Sequence, residues 1–154
     1  MEPKRAIGYL LQHVAATLGR QSDQVLQEQL GLGMSQFRIL TVLQDTPHLR
    51  QRQLANHLGQ TEASISRQIK LLTERGMLTS RINPKNKREH ITVPTPKGIK
   101  LAEAASDILL QYYNPLFADM NEKQQKQLTE TLAKMHKLVC RPGKLVACDH
   151  PFEV

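Results

Sequence analysis

Arg67 and Lys70 lie three residues apart, with Thr61, Ala63, Ser64 and Ser66 just ahead of them. On a helix that spacing gathers cations and hydroxyls on one side, which is small and positive. A cation so presented can reach guanine O6/N7 or a phosphate, and a serine hydroxyl can donate to a phosphate or a base edge. A second set follows: Arg81, then Lys85, Lys87 and Arg88, the last three in a turn-rich run from Asn83 to Glu89. Cations on a hairpin tip suit a DNA backbone or a minor groove, into which one arginine would insert. The bland alternative for Arg67 is a surface ion pair with Glu62 or Glu74. For Lys85 and Lys87 it is a solvated loop.

No stretch supports catalysis. There is no Gly-rich phosphate loop, no His-Glu-x-x-His and no nucleophile elbow. The six histidines are scattered, and Cys140 with Cys148-Asp149-His150 matches no closed zinc pattern. Neither a cofactor nor a metal is expected. Two cysteines are too few for a disulfide framework. A redox-sensing regulator working through Cys140 and Cys148 stays open as an alternative, as does a winged-helix module for protein interaction or DNA architecture.

The cations of 61–75 need a helix buried on its other side. Ile65, Ile69 and Leu72 fall on one stripe at about 100° per residue, opposite Ala63, Arg67 and Lys70. Thr61 is a suitable N-cap and Gly76 suits the left-handed position beyond the C-terminus. A shorter helix over 51–58 carries Leu54, Ala55 and Leu58 inward, and Gly59-Gln60 leaves a tight turn between the two. That is the spacing of a helix-turn-helix. After it, 77–83 alternates, with Leu78, Ser80 and Ile82 on one face. Ile91 and Val93 repeat the period on a return strand. The expected unit is a winged helix-turn-helix.

Around it the periodicity predicts a long helix over 4–30, with Ile7, Leu10, Leu11, Val14, Leu18 and Val25 on its stripe. Ser35 is expected to cap the next helix, which offers Phe37, Leu40, Val42 and Leu43 to a core and ends at Pro47. Residues 48–50 are expected to pair as a small extra strand. Beyond the wing, Thr95 and Pro96 start a helix that runs to Pro115, and Asn121 with Gln124 opens a last one as a capping box. Leu128, Leu132, Met135 and Val139 form its stripe. The fold class is mainly α with a small β-wing, in the order α-α-(β)-α-α-β-β-α-α. Residues 35–95 form a DNA-binding lobe, 1–30 and 96–140 an intertwined helical dimerisation region, and 141–154 an irregular tail.

Charge agrees with this division. Residues 46–100 hold 11 Lys/Arg against 3 Asp/Glu, whereas the other 99 residues hold 10 against 11. The chain's net +7 therefore sits on the winged segment, as phosphate neutralisation requires. No apolar run approaches the roughly 18 residues of a membrane span, and the N-terminus lacks a signal-peptide core. A cytoplasmic protein with no membrane partner is expected. The outer helices carry apolar stripes without an obvious partner in so small a chain. Joining them in a homodimer would bury them and space two reading heads for a palindromic operator.

Ser35-Gln36-Phe37-Arg38-Ile39-Leu40, Gln53-Leu54-Ala55, the run from Ala63 to Leu78, and Thr95-Pro96-Lys97-Gly98 resemble the multiple-antibiotic-resistance regulator (MarR) family. The resemblance covers about residues 5–140. It implies a dimeric winged helix-turn-helix transcriptional regulator, in most cases a repressor. It also implies release from double-stranded DNA by a small phenolic or other anionic effector. That ligand would sit between the first, second and fifth helices, with Tyr9, Phe37, Tyr112, Tyr113, Phe117 and Phe152 as aromatic candidates. One departure stands out. The family's wing reads Asp-x-x-Asp-Arg-Arg, and Asn83 and Asn86 replace both aspartates here. The wing is thereby more positive by two charges, and Asn86 can brace it only without charge assistance.

Overall fold

The computed structural model describes residues 2–47 and 49–139. Its elements are α1 (Pro3–Leu30), α2 (Met34–Asp45), α3 (Gln51–Leu58), α4 (Glu62–Glu74), β1 (Leu78–Asn83), β2 (Asn86–Pro94), α5 (Pro96–Phe117) and α6 (Glu122–Val139). The order is that of a winged helix-turn-helix with flanking helices. Of the expected extra strand, His48 lies outside the described residues, and Leu49 and Arg50 carry no strand. Cys140, Cys148 and the tail lie outside them as well.

Most helix ends follow from local chemistry. Thr61 Oγ1 accepts from the Ser64 amide at 3.2 Å, and Thr95 Oγ1 from the Gly98 amide at 3.1 Å. Asn121 and Gln124 exchange the two bonds of a capping box, at 2.9 and 3.0 Å. Gly31, Gly59 and Gly76 take positive φ where the chain leaves α1, α3 and α4.

Three expectations are corrected. Ser35 does not cap α2. The cap position is Gly33, two residues earlier, and the helix starts at Met34, whose amide donates to Asp23 Oδ1 at 2.7 Å. The acceptor thus comes from α1, across a tertiary contact that a local pattern does not display. Ser35 instead donates to Gln60 Oε1 at 3.0 Å. Next, α5 does not stop at Pro115 but runs to Phe117 with that proline inside it. A proline this near a C-terminus removes one backbone donor without ending the helix. Last, the wing has no seven-residue loop. β2 begins at Asn86, leaving Pro84-Lys85 as the turn. The strands pair antiparallel from Leu78 opposite Pro94 to Arg81 opposite Ile91, and the register shifts between Ile82 and Asn83.

The core lies where α2, α3 and α4 meet the C-terminal half of α1 and the start of α5. Leu26, Leu40, Leu54, Ile65, Leu72 and Ala105 are all buried there. Gly98 permits the closest approach: a Cβ at that position would stand 2.1 Å from the Met77 carbonyl oxygen. This lets α5 start directly on the chain that leads into β1. Outside the core, Ile7, Leu10 and Val14 on α1 are about half exposed, and α6 has no buried residue among those described. No helix among the described residues is long and apolar enough to cross a membrane.

Candidate nucleic-acid interface

The buried stripe of α4 is the expected one: Ile65, Ile69 and Leu72 face the core. Burying that stripe fixes which side turns outward. Thr61, Ala63, Ser66, Arg67 and Lys70 are all exposed, and Ser64 is half-buried. The ion pair considered for Arg67 does not form. Glu62 lies 3.8 Å from Arg52, and Glu74 lies 3.9 Å from Lys70. Both pairs join exposed side chains, so water weakens them and Lys70 can exchange Glu74 for a phosphate at little cost. Among the described residues Arg67 has no carboxylate partner.

Ser64 differs from Ser66. Its hydroxyl donates to Gln60 Oε1 at 3.5 Å, and the same oxygen accepts from Ser35. Gln60, in the turn of the helix-turn-helix, thus gathers α2 and the start of α4. Sequence reading passed over it, because glutamine in a turn carries no signature until the two serines are seen to converge on it.

The wing carries Arg81, Lys85, Lys87 and Arg88, all exposed. Each of its two asparagines accepts a backbone amide two residues on. Asn83 Oδ1 accepts from the Lys85 amide at 2.9 Å, and Asn86 Oδ1 from the Arg88 amide at 3.2 Å. These are the short Asx contacts that asparagine makes as readily as aspartate. The tip is therefore held without the two aspartate charges. The expected inner face of β1 holds only at its base: Leu78 is buried, but Ile82 is 60% exposed because the ribbon there has passed beyond the core.

A polar seam runs along one flank of α4 that sequence reading also missed. Gln36 Nε2 donates to Gln68 Oε1 at 3.0 Å, and Arg75 Nη1 donates to Gln36 Oε1 at 3.3 Å and to the Gly31 carbonyl at 2.9 Å. Gln68 and Arg75 are seven residues apart, two helical turns, and that spacing was the available signal.

Of the aromatic candidates, Tyr112 and Tyr113 use their hydroxyls to join α5 to α1, on Gln21 at 2.6 Å and Ser22 at 2.7 Å. Phe37 packs against the core, and Tyr9 stacks on His13. Phe117 lines a cleft of about 370 Å³ between the end of α5 and α6, with Asn114, Gln125, Leu128 and Thr129. That is not the expected place between the first, second and fifth helices. Phe152 lies outside the described residues. Among the described residues no group of three His, Cys, Asp or Glu side chains could hold a metal ion.

Comparison with known proteins gives one picture. The model of the MarR family matches residues 30–89. An uncharacterized HTH-type transcriptional regulator of Bacillus cereus (strain ATCC 10987 / NRS 248) is 31% identical over 121 residues, covering 76% of this chain and 80% of its own. The HTH-type transcriptional repressor Rv2887 of Mycobacterium tuberculosis is 26% identical over 129 residues, with 84% and 92% covered. Its structure in complex with p-aminosalicylic acid superposes with a TM-score of 0.69 at 24% identity, covering 83% and 96%. A MarR/EmrR family transcriptional regulator from Acinetobacter sp. ADP1 gives a TM-score of 0.74 at 25% identity, over 90% of this chain and 98% of that one. The MepR–DNA complex of S. aureus gives 0.69 at 22%, over 86% and 95%.

Proposed function

The chain belongs to the MarR family of transcriptional regulators, and we propose that it acts as a homodimeric repressor on a palindromic operator in double-stranded DNA. It is a DNA-binding regulator rather than an enzyme, as the family is. The observation that carries the finer reading is the outward row of Ala63, Ser66, Arg67 and Lys70, opposite a fully packed stripe and beside a cationic wing. In this reading α4 enters the major groove. Thr61, Ser64 and Ser66 bind near its N-terminus, and Arg67 and Lys70 reach base edges or phosphates. Arg81, Lys85, Lys87 and Arg88 follow the backbone or the minor groove.

Residues 35–95 then form the reading lobe, and 1–30 with 96–140 the dimerisation region. The exposed stripes of α1 and α6 support that division. Repression is supported by the repressor Rv2887, and control by a small anionic or phenolic ligand by its complex with p-aminosalicylic acid. The site of action in this reading is the cytoplasm. Selection of bound fragments from sheared genomic DNA tests the reading. A recurrent palindrome is expected, with half-sites about one helical turn apart. Recovery of fragments with no shared site would overturn it.

A further inference from the structure

We propose that Gln36 and Arg75 are positioning residues for DNA reading: their hydrogen-bonded seam sets the orientation of the recognition helix relative to the dimerisation helices. This rests on the function proposed above and deepens it. The apolar stripe of α4 decides which side faces inward, but dispersion contacts are not directional and tolerate a few degrees of roll or a small slide. Hydrogen bonds are directional, and several sharing one amide together resist such shifts. The half-buried amide of Gln36 is committed on both ends. Its nitrogen donates to Gln68, and its oxygen accepts from Arg75 and from the Gly33 amide at 3.3 Å. Gln68 follows Arg67 in the chain, so holding the one aims the other.

Arg75 carries the seam to both outer helices. Its guanidinium donates to the Gly31 carbonyl, where α1 ends. Its own carbonyl accepts from Lys97 Nζ on the first turn of α5 at 3.1 Å, and the next carbonyl, Gly76, accepts from Thr95 Oγ1 at 2.7 Å. The C-terminal end of α4 is thus tied to the last turn of α1 and the first turn of α5. A movement of either helix, from a partner subunit or a bound ligand, reaches α4 through these bonds. None of Gln36, Gln68 or Arg75 belongs to the outward row proposed to touch DNA.

The test compares Arg75→Met, Gln36→Met and Gln36→Glu with the full wild-type chain. The glutamate keeps the acceptor that Arg75 and Gly33 need, and a flipped Gln68 amide can donate to it. The DNA arm uses the selected duplex and a copy with its half-sites one base pair further apart. The two methionine variants should lose roughly three- to thirtyfold in affinity for the selected duplex and bind the two spacings more equally. Their salt slope should stay that of the wild type, because no phosphate contact is lost. Gln36→Glu should keep wild-type affinity and spacing preference. The second arm needs no DNA: hydrogen exchange of the free protein should speed up over 31–36 and the last turn of α4 in both methionine variants, and not in Gln36→Glu.

Wild-type spacing preference and exchange in both methionine variants would overturn the proposal. So would a Gln36→Glu variant as impaired as Gln36→Met, since hydrogen bonding would then not be the cause. If the wild type itself prefers no spacing, the palindrome reading fails and the exchange arm alone decides the seam.

Discussion

A guanidinium on a helix surface can pair with a carboxylate one turn away, and Arg67 has none at that spacing. The two carboxylates of α4 are engaged elsewhere, Glu62 with Arg52 and Glu74 with Lys70. The charge is therefore presented at no cost in broken ion pairs. Replacing Arg67 by alanine should cost about 1–3 kcal/mol of specific binding and leave the fold intact. Competition titration on the selected duplex measures this, and unchanged affinity would remove Arg67 from the reading face. Lys87 should behave differently, since a wing lysine bound to phosphate carries no sequence information. Lys87→Ala should weaken all duplexes alike and flatten the plot of log K against log salt by about one unit. An unaltered slope would mean that Lys87 is merely solvated on its strand. At this scale the exposed cations were legible because helical and two-residue periods assign a face to each side chain. Gln60, Gln36 and Asp23 were not, because each acquires its role from a partner elsewhere in the chain: 25, 32 and 11 residues away respectively.

Among the elements, boundaries set by a residue's own neighbours could be read directly. Thr61, Thr95 and the Asn121–Gln124 box cap as their spacing requires. The start of α2 could not, because its acceptor is Asp23 on another helix. The wing was read too loose for a related reason. Asparagine, proline and lysine suggest a long turn, yet strand pairing continues to Asn83 and resumes at Asn86. The join between α4, the wing and α5 depends on Gly98, which the sequence shows only as part of a helix start. A methyl there would sit 2.1 Å from the Met77 carbonyl, a backbone atom that cannot rotate aside. Gly98→Ala should therefore destabilise the chain by about 1–3 kcal/mol despite alanine's better helix propensity. Urea unfolding reads the sign: a stabilised variant would mean that α5 shifts freely. DNA affinity should fall in the same variant, because α5 is displaced from the end of α4.

For the whole molecule the question is what covers the outer helices. Ile7, Leu10 and Val14 of α1 are 54%, 55% and 49% exposed, and Leu132 and Val139 of α6 are 42% and 64% exposed. Scattered apolar side chains need no explanation, but these recur on single faces, on the N-terminal half of α1 and on α6, which buries none of its described residues. Burying a leucine contributes about 1.5–3 kcal/mol, so a few from each of two copies can offset the entropy of association. A twofold pairing would also hold two α4 helices at one separation, which an isolated head lacks and a palindrome requires. Charge at the centre of the α6 stripe should undo this without touching the reading head. Leu132→Asp is expected to move the light-scattering mass from twice the 17.5 kDa of one chain to that of one chain. Affinity for the paired site should then fall to that for a single half-site, while far-ultraviolet circular dichroism keeps its helical signal. A wild-type chain that stays at 17.5 kDa at micromolar concentration would remove the dimer, and with it the reason for a palindrome. A Leu132→Asp chain that remains paired would place the interface on α1 and α5 instead.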